Sequence, residues 1–404
     1  MKKNWEIKKL SEIGKIFNGN SINEKVKKEK YTNISDGLPY IGTKDISYES
    51  NIDYTNGINI LFEEKGNFKI APKNTVLICA EGGSAGRKIG YLNQEVCFGN
   101  KLFAFVGNKN IDSKYVFYYY FSSDFQKYFS LEMAGIIGGV SMNKFKDIEI
   151  PLPTLQEQQR IVSILDEAFI NIDIAKANTE KNLKNAKELF ESELQRVFSD
   201  QSNGWLSKPL GELATFRNGM NYTKSSKGEV IKIAGVKDFK DRFWVPFEDL
   251  DSFTIDGKLN EIDILKEGDI IAVRSNGNPE LIGRTLLTGN INGKVSHSGF
   301  TIRIRLDSNI ISPIYLCRYL KTSKTRKELV DSGNGVGIRS LNQGSLSSLI
   351  IPFPKSLKEQ QTIVSKLDAL REQTKKLEAV YEQKLQDLEE LKKSVLSKAF
   401  SGEL

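Results

Sequence analysis

The chain has 404 residues, of which 39% are hydrophobic and 27% charged, a composition typical of a folded protein with two or three domains. Its 58 Lys and Arg residues exceed its 51 Asp and Glu residues, which is compatible with a polyanionic ligand but does not require one. Three scattered cysteines and one histidine argue against a disulfide framework and exclude any triad or metal cluster that needs two histidines. Without a long apolar run or a signal-peptide core, the sequence predicts a cytoplasmic protein with no membrane segment.

The sequence contains two copies of one unit. Trp5–Gly19 (WEIKKLSEIGKIFNG) aligns with Trp205–Gly219 (WLSKPLGELATFRNG). The phrase PLPTLQEQQRIVSILD at Pro151–Asp166 returns as PFPKSLKEQQTIVSKLD at Pro352–Asp368. Because each copy runs from a tryptophan through a variable stretch to a Pro-x-Pro phrase and a long polar segment, the repeat predicts a tandem duplication.

The stretch before each Pro-x-Pro phrase has the pattern of a mixed globular module. Short β-branched and aromatic runs bounded by Gly and Asn, such as NTVLICAEGG and GDIIAVRSNG, predict strands joined by tight turns. Segments 114–128 and 313–330 predict short helices packed on that sheet. The sequence therefore predicts an α+β fold with two pseudo-symmetric mixed α/β modules, at residues 1–150 and 204–351.

After each Pro-x-Pro phrase the hydrophobic period becomes helical. Thr154 with Glu157, and Ser356 with Glu359, match the capping box, in which a hydroxyl and a carboxylate satisfy free amides at a helix start. Apolar residues, among them Leu377 and Leu391 in the second copy, then recur at alternating steps of three and four, which is typical of a coiled-coil seam. These patterns predict that each copy continues into one long helix.

The two long helices are predicted within residues 151–203 and 352–404. A long helix with one apolar stripe needs a partner, and the other copy is the obvious one. Two copies that pair through the same surface are related by a pseudo-two-fold axis, so we predict antiparallel coiled-coil pairing. A stiff spacer that separates the two modules follows from this prediction.

No motif for catalysis or for cofactor binding is apparent. The chain lacks a G-x-x-x-x-G-K-[ST] phosphate loop, and Glu81–Gly86 (EGGSAG) lacks the full G-x-G-x-x-G pattern, which favours a plain glycine turn. His297 lies between two serines ahead of the strand FTIRIRL, a setting that favours a hydrogen-bonded loop or core residue over a catalyst. The sequence predicts no catalytic residue, no metal site and no cofactor.

The duplicated arrangement resembles the specificity subunit of type I restriction–modification enzymes. The resemblance covers residues 5–404 and depends on the phrase IP-x-P…EQQ-x-IV-x-x-LD, which occurs twice, and on the final KAFSGEL. It implies a non-catalytic subunit in which each module is a target recognition domain that reads half of a split double-stranded DNA sequence. It further implies that the helices hold the halves apart and dock two adenine-methyltransferase subunits, with motor-nuclease restriction subunits as additional partners. Because the two modules differ between their shared landmarks, we predict two unlike half-sites and an asymmetric target.

The predicted DNA-contacting residues carry side chains that can bond base edges and mostly lie beside glycines that let the backbone approach. They are Lys44, Arg87, Lys88, Asn100 and Lys101 in the first module and Lys237, Arg274, Asn276, Arg284 and Arg339 in the second. Arg274 is the sharpest of these predictions because it follows an apolar strand, where an unpaired charge is costly.

The predicted partner-binding residues are apolar helix positions outside the paired seam. They are Ile164, Ile170, Ile174, Val364 and Val380, and packing within the helix pair explains them equally well. Two other functions stay open: a coiled-coil scaffold whose end modules bind proteins rather than DNA, and a self-contained restriction enzyme whose active site matches no motif found in the sequence.

Overall fold

A computed structural model of the chain describes residues 5–133, 138–199, 204–223, 225–240, 242–331 and 340–404. Backbone contacts divide the chain into two units. The first unit comprises Met1–Glu180 together with Gln383–Leu404, and the second comprises Lys181–Glu382. Each unit therefore contains one globular module and a part of each long helix.

The first unit contains two four-stranded sheets and a two-stranded ribbon. One sheet has the antiparallel order β2-β9-β6-β7, the other has the order β4-β3-β8-β5 with β3 and β8 parallel, and the ribbon pairs β1 with β10. The strands are β1 (Glu6–Lys9), β2 (Gly14–Asn18), β3 (Leu38–Ile41), β4 (Asn59–Ile60), β5 (Ile70–Ala71), β6 (Val76–Cys79), β7 (Ile89–Tyr91), β8 (Val96–Phe98), β9 (Leu102–Gly107) and β10 (Glu149–Leu152). The helices are α1 (Leu10–Ile13), α2 (Glu24–Lys30), α3 (Ser113–Tyr119), α4 (Ser123–Glu132), α5 (Met142–Lys146) and the long α6 (Leu155–Ser199), which continues into the second unit.

The second unit repeats this architecture. Its sheets have the orders β12-β18-β15-β16 and β14-β13-β17, with β13 and β17 parallel, and its ribbon pairs β11 with β19. The strands are β11 (Trp205–Pro209), β12 (Ala214–Asn218), β13 (Val230–Ala234), β14 (Ser252–Thr254), β15 (Ile270–Val273), β16 (Thr285–Leu287), β17 (Val295–His297), β18 (Thr301–Leu306) and β19 (Ile350–Pro354). The helices are α7 (Pro313–Leu320), α8 (Ser323–Asp331), α9 (Gln343–Ser348) and the long α10 (Leu357–Ser401), whose C-terminal part belongs to the first unit.

The central strand of each module is covered on both faces. In β6 (VLIC), Val76 and Ile78 pack into the core beneath the helices, whereas Leu77 and Cys79 pack between the two sheets. Side chains alternate across a strand, so a strand buried on both faces must be apolar throughout. β15 (IIAV) divides its side chains between two cores in the same way. The continuous apolar runs in the sequence are therefore the middle strands of a layered module.

The repeated EQQ phrase has a structural reason. The first glutamine of each pair, Gln158 in α6 and Gln360 in α10, is buried at the start of its long helix. Gln158 accepts a hydrogen bond from the Asp112 backbone amide at 2.9 Å, and Gln360 accepts one from the Ser312 amide at 2.8 Å. These glutamines therefore join each long helix to the N-terminus of the short helix, α3 or α7, in the same module.

Both long helices begin one residue after their predicted caps. The Thr154 hydroxyl accepts a hydrogen bond from the Glu157 amide at 3.4 Å, which is the hydroxyl half of the predicted capping box. Each helix has 45 residues and is roughly 68 Å long at about 1.5 Å per residue.

The helices run antiparallel within each unit. In the first unit, Lys176 of α6 pairs with Glu389 of α10 at 2.8 Å, and the C-terminal carbonyl of Leu404 accepts a hydrogen bond from Arg160 at 2.6 Å. In the second unit, Lys187 pairs with Glu382 at 3.7 Å. Residues further along α6 pair with residues earlier in α10. The predicted antiparallel pairing is therefore confirmed within each unit.

The helix seam differs from the sequence prediction at two positions. Leu377 and Leu391 continue the apolar period of α10, yet 42% and 48% of their surfaces are exposed. A two-helix pair covers only one narrow stripe of each helix, which leaves these leucines at its edge.

Candidate nucleic-acid interface

The five predicted DNA-contacting residues of the first module lie along one edge, where β3, β6 and β8 end. The Gly99 amide donates to the Ile41 carbonyl at 2.9 Å, and the Ala80 amide donates to the Lys101 carbonyl at 2.9 Å. These bonds bring together the turns that contain Lys44, Arg87 with Lys88, and Asn100 with Lys101. All are exposed except Lys88, which is half-buried.

Tyr48 is the centre of a cluster on this edge that sequence reasoning missed. Its ring is 54% exposed and is flanked by the Arg87 guanidinium carbon at 5.6 Å and the Lys88 Nζ at 5.3 Å from the ring centroid. Lys88 also donates to the Thr43 carbonyl at 3.0 Å, which fixes its position. An exposed aromatic ring between two cations offers both stacking and phosphate contacts. A solitary tyrosine in a polar turn carries no sequence signal for this role.

The Gly86 turn shows why a glycine precedes Arg87. Gly86 has a φ of 72°, in the left-handed region, and a Cβ at this position would lie 2.6 Å from the Phe129 ring. Gly283, before Arg284, has a φ of 76° in the second module. Each glycine closes the turn that leads from the central strand to its neighbour.

In the second module the equivalent edge forms a small cleft. Its volume is about 250 Å³, and Lys237 and Asn276 line it together with Tyr222, Phe253 and Phe300. Lys237 pairs with Asp251, and Asn276 accepts a hydrogen bond from the Asn278 amide at 2.8 Å. Phe300 is 61% exposed, so an apolar ring stands beside polar groups in a geometry suited to base edges and methyl groups.

Arg274 lies at the end of β15 next to this cleft. Its amide donates to the Phe300 carbonyl at 2.9 Å, and its carbonyl accepts from the Leu341 amide at 2.8 Å. The side chain is half-buried, and its Nε is buried without a hydrogen-bond partner among the described residues. A guanidinium carries five N–H donors, so its terminal nitrogens are the groups that could reach a ligand.

Of the two remaining predicted residues of the second module, Arg284 does not line this cleft. Arg284 lines a different cleft, where its Nε donates to the Glu280 carbonyl at 3.2 Å. Arg339 lies outside the described residues.

The two modules share a backbone frame and differ in the side chains it carries. In the first module, the Ala80 amide donates to the Lys101 carbonyl and the Ala80 carbonyl accepts from the Val140 amide. In the second module, the Arg274 amide donates to the Phe300 carbonyl and the Arg274 carbonyl accepts from the Leu341 amide. Ala80 thus occupies the position of Arg274, and Lys101 that of Phe300. One scaffold presents an alanine and a lysine in the first copy and an arginine and a phenylalanine in the second.

His297 is a core residue rather than a catalyst. It is 1% exposed, and its Nδ1 lies 2.9 Å from the Thr301 hydroxyl. Burial, followed by the positive charge of Arg303, lowers the pKa of His297 to about 3, so the ring is neutral at physiological pH. Among the described residues, no group of three or more His, Cys, Asp or Glu side chains is placed to hold a metal ion. No helix in the described ranges combines the length and hydrophobicity needed to cross a membrane.

The predicted partner-binding residues differ in exposure. Ile170, Ile174 and Val380 are 60%, 55% and 60% exposed, whereas Ile164 is half-buried. Val364 is only 7% exposed and packs in the core of the second module. It therefore offers little surface to a partner, because the start of α10 lies against the module rather than in solvent.

A family model for the type I restriction modification DNA specificity domain (Methylase_S) matches residues 2–185 and again residues 202–389. The chain belongs to this family. The two matches confirm the tandem duplication and the identification as a type I specificity subunit. Because specificity subunits of this family recognise DNA and do not catalyse, the prediction of a non-catalytic subunit is confirmed.

Similar proteins agree with this assignment over the full length. The StySPI specificity subunit of Salmonella potsdam is 28% identical over 428 residues, which cover 99% of this chain and 89% of that protein. The HsdS subunit of Thermoanaerobacter tengcongensis has a TM-score of 0.64 at 19% identity, covering 100% of this chain and 98% of that one. A chain from a structural study of the complex assembly and conformational transition of the type I R-M system has a TM-score of 0.79 at 17% identity, covering 100% and 99%. The fold predicted for this specificity subunit, two repeated mixed modules with two long helices, is confirmed.

Proposed function

We propose that this specificity subunit reads a bipartite, asymmetric DNA target, with one half-site for each module. It would do so in a complex with two adenine-methyltransferase subunits, joined by motor-nuclease subunits for restriction. The division into recognition modules at residues 1–150 and 204–351 and spacer helices at 151–203 and 352–404 is part of this proposal. The cytoplasm, where the host DNA lies, is the proposed location.

The difference between Ala80 and Arg274 carries the proposal of two unlike half-sites. Both residues have the same backbone hydrogen-bond partners in their modules, so the fold requires neither side chain. A guanidinium can donate two hydrogen bonds to the O6 and N7 atoms of a guanine, whereas a methyl group cannot. Two surfaces that differ in this way favour different bases, which makes the combined target asymmetric.

The predicted base-contacting residues divide between two roles. Arg274 and Asn276 lie beside a cleft with an exposed aromatic ring, which supports direct base contact. Arg87 and Lys88 flank Tyr48 on an open edge, which supports contacts to the sugar–phosphate backbone as well as to bases. Lys44, Asn100 and Lys101 are exposed next to this cluster and belong to the same proposed surface.

The helix pair supports the proposed docking of partner subunits. Ile170 and Ile174 are adjacent on one face of α6, one helical turn apart, and more than half of each side chain is exposed. Val380 is an exposed apolar residue of α10. Exposed apolar residues at helical spacing suit a partner helix better than water, so we place methyltransferase contacts here.

The function is tested by DNA selection with the full chain, alone and with its methyltransferase subunit, at a stated salt concentration. Enrichment of one split sequence without turnover by the isolated chain supports the proposal. Protein binding with no DNA selectivity would instead support the scaffold function, and cleavage or methylation by the isolated chain would support a hidden active site.

Arg274→Ala tests the reading surface itself. Removing a bidentate base contact costs about 1–3 kcal/mol, so selectivity at one position of the second half-site should fall by roughly 5- to 150-fold. The first half-site should be read as before. Lys294→Ala is the matched control, because this exposed lysine of the same module pairs with Glu229 at 2.8 Å. Equal selectivity of the two variants at every position would refute the assignment of Arg274.

A further inference from the structure

A basic cleft lies within the second unit, between the globular module and the long helices. Its volume is about 290 Å³. In the part of the chain that the structure describes, eight cations line the cleft. We define the basic cleft by six of them, which come from the loop before β16, the end of α7, α8 and α10: Arg284, Arg318, Lys321, Arg326, Arg371 and Lys375. The other two are Lys240 and Arg242. Glu191 is the one acidic residue among the described lining residues.

Three of these cations are bonded to neutral groups only. Lys321 Nζ donates to the carbonyls of Thr285 at 2.6 Å and Arg242 at 3.1 Å. Arg326 and Arg284 both donate to the Glu280 carbonyl, at 2.6 Å and 3.2 Å. In the described part of the chain no carboxylate lies within ion-pair distance of these three side chains. Carbonyl oxygens accept these hydrogen bonds but carry no full negative charge to balance the cations.

The crowding of these charges is unfavourable in the free protein. Burial lowers the pKa of Lys321, and the guanidinium groups of Arg318 and Arg284 lower it further. Burial lowers the pKa of Arg326 as well, again with a contribution from Arg284. The Glu280 and Glu191 carboxylates raise the pKa of Arg326 and so offset part of this effect. Half-buried cations that outnumber the acidic residues beside them gain stability from a further negative interaction. A bound anion would supply that interaction.

The first unit shows that the fold does not need this cluster. Tyr115 and Tyr315 bond the carbonyls of Pro151 and Pro352, which aligns α3 with α7. Counting from these tyrosines, Arg318 corresponds to Tyr118, Lys321 to Phe121 and Arg326 to Gln126.

The corresponding residues of the first unit form aromatic contacts instead of a charged cluster. The Phe117 and Phe121 ring centroids lie 5.1 Å apart, and those of Tyr118 and Phe169 lie 5.2 Å apart. The second unit thus carries three cations at aligned positions where the first unit carries two aromatic residues and a glutamine. The shared architecture therefore does not require Arg318, Lys321 and Arg326 to be charged.

Two chain segments connect the basic cleft with the proposed reading surface. One leads from Arg274, at the end of β15, to Arg284 in the basic cleft. The other leads from Lys237, in the reading cleft, to Arg242, whose carbonyl holds Lys321. The two clefts are thus joined by short stretches of chain. Guanidinium forks match phosphate oxygens, and such contacts position DNA without reading its sequence.

We propose that the basic cleft binds a phosphate group, and that in the DNA complex this group is a backbone phosphodiester beside the second half-site. The DNA part of this inference rests on the proposed function, whereas phosphate binding by the free chain does not. A free phosphate and a backbone phosphodiester share the same chemistry, so the two sources are distinguished by separate measurements.

The test compares two double variants. The cleft variant carries Arg284→Gln and Arg326→Gln, and the control variant carries Lys324→Gln and Lys327→Gln. The control lysines are exposed on α8 beside Arg326 but outside the basic cleft. For each full-length protein, inorganic phosphate is titrated and followed by ³¹P line width, and DNA affinity is measured as a function of salt. Lys375→Glu is a further cleft variant. Lys375 is an exposed residue of α10, so this substitution places a carboxylate at the cleft without altering a buried residue.

We expect the cleft variants, but not the control pair, to abolish the ³¹P broadening. The slope of log affinity against log salt should fall by about 0.9 for each DNA phosphate that the variant no longer neutralises, with selectivity at both half-sites unchanged. Loss of phosphate binding with an unchanged salt slope would overturn the DNA assignment and leave a site for free phosphate only. Equal behaviour of the cleft and control pairs in both measurements would overturn the whole inference. If the wild-type chain selects no DNA sequence, the proposed function fails, while the ³¹P titration still decides phosphate binding.

Discussion

Gln360 offers the most direct test of how the repeated EQQ phrase joins helix to module. The side chain is fully buried and makes three hydrogen bonds to backbone groups: it accepts from the Ser312 amide at 2.8 Å and donates to the Ile310 and Pro354 carbonyls, each at 2.9 Å. Leucine has nearly the same volume but cannot make these bonds. Each buried backbone group left without a partner costs about 1–3 kcal/mol. Gln360→Leu should therefore destabilise the second unit by roughly 3–6 kcal/mol, after allowance for the apolar surface that leucine buries.

The control is the next residue of the same phrase. Gln361 is exposed, so Gln361→Leu should change the unfolding free energy by less than about 0.5 kcal/mol. Urea unfolding followed by circular dichroism gives the stability difference. Hydrogen–deuterium exchange adds a local readout, because the Ser312 amide should exchange faster in Gln360→Leu only. Equal urea midpoints for the two variants, with equal protection at Ser312, would refute the argument that this glutamine joins α10 to the module.

Three further predictions follow from the site and the helices. For His297, the folded pKa of about 3 lies below the ordinary value of 6.5, so its contribution to stability is complete above pH 6.5 and is lost as pH falls towards 3. Between neutral pH and pH 5, the free energy of unfolding of the wild-type protein should fall by about 2 kcal/mol because of His297. The His297→Asn variant should not show this fall when its unfolding free energy is measured over the same pH range. Parallel curves of unfolding free energy against pH for the two proteins would contradict the assignment. Tyr48→Ala should weaken DNA binding through the first module by about 1 kcal/mol or more, measured by fluorescence anisotropy, with Tyr128→Ala, also an exposed tyrosine, as control. Ile170→Asp should abolish co-purification with the methyltransferase subunit while urea stability stays within about 0.5 kcal/mol; unaltered assembly would place the partner elsewhere.

The helices and the duplication could be predicted from sequence because their signals are local and repeated. A hydroxyl residue followed by glutamate before an apolar period defines a helix start, and both long helices begin one residue after their caps. The apolar runs around Val76–Cys79 and Ile270–Val273 predicted strands that the structure places at the centre of each module. Leu377 and Leu391 are exceptions, since the contact between two helices covers only a narrow stripe of each and leaves these leucines at its edge.

The composition of the predicted site could be anticipated only in part. Glycine turns after central strands indicated the edge that carries Arg87 and Arg274, because turns at strand ends expose the side chains beside them. The role of Tyr48 depends on two cations from a different turn, and the separation of Arg284 from Arg274 depends on the path of a loop. Neither is encoded in the spacing of residues along the chain.

By itself, the sequence determined that this protein has two related halves, where its long helices begin, and which family it resembles. These features depend on residues close together in the chain, whose propensities and periodicity act over a few turns. Only the tertiary structure decided that Val364 is core while Ile170 is exposed, that Gln158 and Gln360 join helix to module, and that six cations converge in one unit where the other packs aromatic rings. Those outcomes depend on contacts between side chains that are distant in the sequence. Burial, hydrogen bonding and charge compensation arise from such contacts and cannot be read from any residue alone.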